Sequence, residues 1–215
     1  MPFKSEWVEY PDIVALYQKH GIPATEKKPD GSPHPTLPLI HDASTGRFIS
    51  DSLLIAKYLD DTYPDTPKLF PPGTDSLIRA YNAAYTSTIS PVYIFTFFQT
   101  YRVMNTRSLD HFEKKIKVAF GDTKEPQGDE RRVQWAKVEQ AFGVVASWLG
   151  KGDDFVMGST VSYADIITGG WLVWIRNIFG EDSAEWKQVA SWQDGRWAKL
   201  VKSLDQFKDA DVSAR

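Results

Sequence analysis

The sequence predicts a small α/β unit, a proline-rich linker and then an all-helical domain. Three observations carry that prediction. TLPLIHDASTGRFIS, from Thr36, reads as two short strands about a turn. DTPKLFPPGTD places Pro67, Pro71 and Pro72 in one extended connection. Beyond it, apolar residues recur at spacings of three and four, with no convincing strand pattern. The boundaries fall at 1–65 for the α/β unit, 66–74 for the linker and 75–215 for the helical domain.

Composition narrows the class of protein. Of 215 residues, 42% are hydrophobic and 25% charged, ordinary values for a globular protein. A net charge of −3 gives no electrostatic footprint for nucleic acid. The longest apolar runs, such as GGWLVWI, fall far short of the roughly 20 residues that span a bilayer. MPFKSEW has no apolar core of a secretory signal. There is no cysteine, which excludes disulfides, thiolate metal sites and a cysteine nucleophile, and fits a reducing, cytoplasmic setting. The four histidines, His20, His34, His41 and His111, have no metal-ligand spacing, so no metal is expected.

In order along the chain, KSEWVEY alternates Trp7 and Val8 with Glu6 and Glu9, a weak strand pattern. Pro11 suits the first turn of a helix, which continues with Ile13, Leu16 and Tyr17 on one face and stops at Gly21. KKPDGSPHP reads as an exposed loop. TLPLI and RFIS form a hairpin about DASTG, where Asp42 starts an Asx turn and Gly46 takes positive φ. SDSLLIAKYLDDTYP is a helix capped by Ser50 or Asp51, with Leu54, Ile55, Tyr58 and Leu59 at four-residue spacing, and it ends at Pro64.

A long helix starts near Thr74 or Asp75, carries Tyr81, Tyr85 and Ile89 on one face and is kinked by Pro91. LDHFEKKIKVAF is a further helix, followed by a loop. ERRVQWAKVEQAFGVVASWLG is amphipathic through Trp135, Val138, Phe142, Val145 and Leu149 and stops at Gly150. SYADIITGGWLVWI is apolar nearly all round and belongs at the centre of the helical domain. Ser162 and Asp165 at its start fit a capping box, worth about 1 kcal/mol. GRWAKLVKSLDQF closes the chain with Trp197, Leu200, Val201, Leu204 and Phe207 on one stripe.

Two places in the α/β unit carry recognition chemistry. At Leu37-Pro38, a cis peptide would turn the Leu37 N–H and C=O outward to receive an extended peptide as an extra strand. The residues by themselves favour trans, since only about 5% of X–Pro bonds are cis. At Asp51-Ser52, a helix N-terminus suits a carboxylate, Ser52 adds a donor and Asp51 attracts an ammonium. A plain N-cap is the simpler reading of that pair. Together the two places suit an extended peptide with a zwitterionic head, which describes glutathione.

TLPLI, the hairpin, SDS, IAKYLDDTYPDTPKLFP and VSYADI resemble a glutathione transferase over essentially the whole chain. EWVEYPDI, KKPDGSPH and IAKYLDDTYPDTPKLFPP resemble the fungal-specific A class, kin to bacterial β-etherases. None of these runs is a catalytic signature. The resemblance implies a thioredoxin-like first domain, with Leu37-Pro38 on the cysteinyl backbone of glutathione and Asp51 with Ser52 on its γ-glutamyl head. Lys28 and His34 are candidates for the glycyl end. It also implies an apolar-substrate site between the domains, which points to Tyr85, Ile89 and Tyr93, near Trp171 and Trp174. At helical spacing such residues more often belong to the core. A homodimer and a role in detoxification are implied as well.

Against the family pattern, KSEWVEY matches the second strand. The resemblance therefore implies that the first strand and helix, with the residue that activates the thiol, are missing, and the α/β unit is incomplete. No catalytic residue is assigned for that reason. Three functions follow: a transferase that, in the full-length form, acts on small aromatic or lignin-derived electrophiles, with ether cleavage included; a non-catalytic binder of aromatics, favoured where the thiol-activating residue is missing; and a transferase-like interaction module.

Overall fold

The computed structural model describes residues 2–28, 30–122, 124–205 and Phe207. The chain forms two compact units, one of Glu6–Pro71 and one of Pro72–Arg215 with Met1–Ser5.

In the first unit, Pro11 opens a 3₁₀ turn at Tyr10–Asp12 that leads into α1 (Ile13–His20). Gly21 stops α1 at φ 62°, a left-handed position that glycine takes without steric cost. Ile13 and Tyr17 face inward. No strand forms over 4–10: Glu9 is extended, but the segment enters no ladder and Trp7 is 90% exposed. Alternation in sequence makes a strand only where a neighbour pairs with it.

The stretch expected as a loop holds a short ladder instead. β1 (Glu26–Lys27) pairs antiparallel with β2 (Pro33–His34). Between them the Asp30 carboxylate accepts from the Ser32 N–H and hydroxyl at 2.9 and 2.6 Å. The hairpin of β3 (Leu39–Asp42) and β4 (Arg47–Ser50) forms in the expected place. Asp42 makes the Asx turn, accepting from the Ser44 N–H at 2.9 Å, and Gly46 sits at φ 69°. Then α2 (Ser52–Thr62) packs on β3 and β4. Ile55, Ala56 and Tyr58 are its buried face, whereas Leu54 is turned outward and exposed.

Asp42 also fastens the hairpin to α2. Its Oδ2 accepts from the Tyr58 and Tyr63 hydroxyls at 2.6 and 2.7 Å. Hydrogen bonds from Tyr58, then Ser44 and Tyr63, hold its carboxyl far below the usual range. A depressed folded pKa means that this contribution is present above the unfolded value, about 3.9, and is lost as pH falls below it. In an Asp42→Asn variant the Tm should be lower near neutrality and flatter through the acid limb. Thermal melts between pH 2 and 7 check this. Parallel curves for the two proteins would contradict it.

The second unit is helical: α3 (Asp75–Thr88), a 3₁₀ turn at Ser90–Val92, α4 (Tyr93–Val103), α5 (Thr106–Phe120), α6 (Gly128–Ser147), α7 (Tyr163–Phe179) and α8 (Ala184–Leu204). Pro91 lies in the 3₁₀ turn and so separates α3 from α4. α6 stops at Ser147, a turn before Gly150. α7 is the buried central helix and packs against α3, α4 and α8. A Cβ on Gly169 would meet Leu204 Cδ1, so a larger residue there would force the end of that side chain to move.

α8 is two helices across a break at Trp192–Gly195, where Gln193 and Asp194 have φ of 48° and 59°. The break lets Trp192 and Trp197 both meet Phe142, with ring centroids 5.8 and 5.2 Å apart. Trp197 Nε1 donates to Gln193 Oε1 at 2.6 Å across it. Phe207, expected on the apolar stripe, is 55% exposed because the helix ends at Leu204 and the stripe does not extend to it. Among the described residues, no helix is long and apolar enough to cross a membrane.

Candidate functional site

The hairpin register brings the two recognition places together. Leu39 pairs with Ser50, so Leu37-Pro38 before β3 and Asp51-Ser52 after β4 leave the same end of one ladder. Neighbouring strands lie about 4.8 Å apart there.

Leu37-Pro38 is a cis peptide, contrary to the trans form that the residues favour. The two isomers differ by only about 0.5–1 kcal/mol before X–Pro, so tertiary context decides between them. Leu37 lies outside the ladder, and among the described residues its backbone N–H and C=O pair with no other group. The Thr36 carbonyl beside it accepts from the Tyr17 hydroxyl at 2.7 Å.

Asp51 is the N-cap of α2: its Oδ1 accepts from the Leu53 and Leu54 N–H groups at 2.9 and 3.0 Å. It does so at φ 75° and ψ 124°, a conformation that a non-glycine residue keeps only when its surroundings enforce it. The cap occupies Oδ1 and leaves Oδ2 for a cation. Ser52 is exposed in the first turn, where the helix end favours an anion.

The other candidates are placed less centrally. The Thr25 and Ser50 hydroxyls lie 3.4 Å apart, which sets the start of β1 beside the end of β4. His34 Nδ1 lies 3.5 Å from Glu26 Oε2 in the same short sheet. Lys28 sits at the turn, its N–H bonded to the Ser32 carbonyl at 2.8 Å, with its side chain exposed.

In the helical unit, Tyr85 and Ile89 are fully buried in the core with Phe95, Phe142 and Leu172. Burial raises the Tyr85 pKa well above its ordinary value, and the described structure gives its hydroxyl no hydrogen-bond partner. A buried hydroxyl without a partner costs stability, so Tyr85→Phe should leave the Tm unchanged or raise it. A loss of several degrees would show that the hydroxyl is satisfied. Tyr93 is half-buried, donates to the Thr86 carbonyl at 2.9 Å and stacks on Trp171 at 5.1 Å. Trp174 meets Trp171 edge-on at 5.1 Å, so these three rings form one aromatic group.

The capping box at the start of α7 forms as expected. Asp165 Oδ2 accepts from the Ser162 N–H and hydroxyl at 2.8 and 2.9 Å, and Oδ1 from the Val156 N–H at 2.7 Å. Burial pushes its carboxyl pKa up, against those hydrogen bonds.

Residues 76–207 match the family model of the glutathione S-transferase C-terminal domain. The chain belongs to the glutathione S-transferase family. Its fold is that of the family: a glutathione S-transferase of Ceriporiopsis subvermispora, solved in complex with glutathione, superposes with a TM-score of 0.91 at 40% identity. That match covers 97% of this chain and 85% of the other. The glutathione transferase GSTFuA3 of Phanerochaete chrysosporium gives 0.90 at 36% identity, over 98% and 85% of the two chains. The glutathione S-transferase-like protein ustS of Aspergillus flavus is 27% identical over 98% of this chain and 86% of its own length.

Sequence reading of this glutathione S-transferase family member missed two residues that shape the site's unit. Tyr17 registered only as an apolar position; its choice over phenylalanine at a buried site was the available signal. Asp60, buried near the C-terminal end of α2, stood out by no feature of the sequence.

Proposed function

We propose that the α/β unit holds glutathione, with the Leu37 N–H and C=O on the cysteinyl backbone and Asp51 Oδ2 with Ser52 on the γ-glutamyl head. The observation that carries this reading is the register that sets Leu37-Pro38 and Asp51-Ser52 at one end of the β3–β4 ladder. Asp51 Oδ2 attracts the ammonium while the α2 N-terminus and Ser52 receive the α-carboxylate. Lys28 and His34 serve the glycyl end.

The activity is glutathione transfer to small apolar aromatics, aryl ethers among them. The glutathione sulfur bonds to the electrophilic carbon, the leaving group departs with the bonding pair, and the thiol proton goes to solvent. Half-buried Tyr93, Trp171 and Trp174 offer the aromatic surface, with Tyr85 and Ile89 behind it. The protein acts as a cytoplasmic homodimer. Leu77 with Tyr81, and Val144 with Trp148, are spaced one helical turn apart, and Tyr81 meets Trp148 edge-on at 6.0 Å. Leu77, Val144 and Trp148 are exposed there, as an apolar face for a second copy.

Calorimetric titration with glutathione tests the site, and turnover of 1-chloro-2,4-dinitrobenzene with glutathione tests the reaction. Binding in the micromolar-to-millimolar range is expected, and turnover supports the transferase reading. Absence of glutathione binding overturns the proposal. Binding of a fluorescent aromatic dye without turnover selects the non-catalytic binder.

A further inference from the structure

We propose that Tyr17 is a positioning residue for glutathione, aiming the Leu37 N–H from behind; this rests on the assignment of Leu37 to the cysteinyl backbone. Tyr17 is 3% exposed on the inner face of α1 and its hydroxyl donates to the Thr36 carbonyl at 2.7 Å. The Thr36 C=O and the Leu37 N–H belong to one planar peptide group. Fixing the oxygen therefore fixes the direction of the N–H on the opposite side of the same plane.

The surroundings make that single bond important. Leu37 precedes the ladder, which begins at Leu39, and among the described residues its own N–H and C=O have no partner to hold them. The short stretch over Leu37 and Pro38 is thus held on one side by the Leu39–Ser50 pair and on the other by Tyr17. Tyr17 is in turn fixed by the end of its helix: its carbonyl accepts from the Ile22 N–H at 2.9 Å beyond the Gly21 stop. Donation into the carbonyl also polarises the amide, which makes the Leu37 N–H a stronger donor to a ligand. The hydroxyl touches no ligand and acts only through the peptide group.

The test is Tyr17→Phe, which keeps the ring and its packing. Two readouts are used: the glutathione Kd from calorimetry, and the Leu37 amide proton shift during a ¹H–¹⁵N titration with glutathione. Wild type should show a downfield Leu37 shift on binding. The variant should bind glutathione roughly three- to tenfold more weakly, the effect of about one hydrogen bond, with a smaller Leu37 shift. Unchanged affinity and an unchanged Leu37 shift in a folded variant overturn the role of Tyr17 and leave the glutathione site standing. If wild type binds glutathione without moving the Leu37 amide, the assignment of Leu37 fails, and the role of Tyr17 fails with it. A lower Tm with unchanged affinity assigns the hydroxyl to stability alone and also overturns the proposal.

Discussion

Replacing Asp165 with alanine should lower the melting temperature of the chain by roughly 10 °C. A capping box at an exposed helix end is worth about 1 kcal/mol. This one is fully buried, and its carboxylate accepts three hydrogen bonds, from the Val156 N–H, the Ser162 N–H and the Ser162 hydroxyl. Alanine leaves two backbone N–H groups without an acceptor, that of Ser162 buried and that of Val156 partly buried. Each such group costs about 1–3 kcal/mol, so the sum is about 2–6 kcal/mol. At about 2–4 °C per kcal/mol for a chain of this size, that gives the stated fall. Asparagine should rescue little, because both carboxylate oxygens accept and one would become an NH₂ facing a donor. Calorimetric melts of wild type, Asp165→Ala and Asp165→Asn decide the matter. A loss of only two or three degrees in the alanine variant would mean that the 155–162 loop repacks and satisfies its own backbone.

The second large effect is expected at Asp60. It is buried, and its two oxygens accept separately from the backbone N–H groups of Leu69 and Phe70, at 3.1 and 2.7 Å. Lys68 Nζ donates to the Asp60 carbonyl as well. The proline-rich segment that reads as a free linker is therefore fastened to α2, and Phe70 is buried with it. Asp60→Ala should cost about 2–4 kcal/mol through the two abandoned N–H groups. Because prolines limit other ladders for this stretch, it should also become open to proteases around 64–72. Asp60→Asn keeps one acceptor oxygen and should fall between the two. Limited proteolysis with mass mapping, beside thermal melts, checks both outcomes. A protected segment in a destabilised alanine variant would locate the loss elsewhere in α2.

The elements most legible in sequence are those set by local chemistry. The β3–β4 hairpin follows from Asp42 and Gly46 between two apolar runs, and α2 from Asp51 and the four-residue spacing behind it. Pro91 announces the break between α3 and α4, and Ser162 with Asp165 announces the start of the buried helix. The features that were less legible depend on partners distant in the chain. The KSEWVEY alternation enters no ladder among the described residues, and Trp7 is exposed. The β1–β2 ladder needs only two residues on each strand, too few to leave a periodic trace. The left-handed residues Gln193 and Asp194 break α8 because Trp192 and Trp197 both fit against Phe142, which lies fifty residues earlier.

The candidate site divides along the same line. Residue types in sequence determined that an extended-peptide acceptor could exist near Leu37-Pro38 and a charged-head acceptor at Asp51-Ser52, since proline, carboxylate and hydroxyl chemistry is local. Only the tertiary structure decided that both stand at one end of a ladder, through the pairing of Leu39 with Ser50. It also decided that a tyrosine hydroxyl from α1 reaches the peptide group between Thr36 and Leu37, and that Tyr85 and Ile89 are enclosed in the helical core. Register and burial arise from contacts between segments far apart in sequence, and a one-residue slip in pairing would turn each side chain to the opposite face.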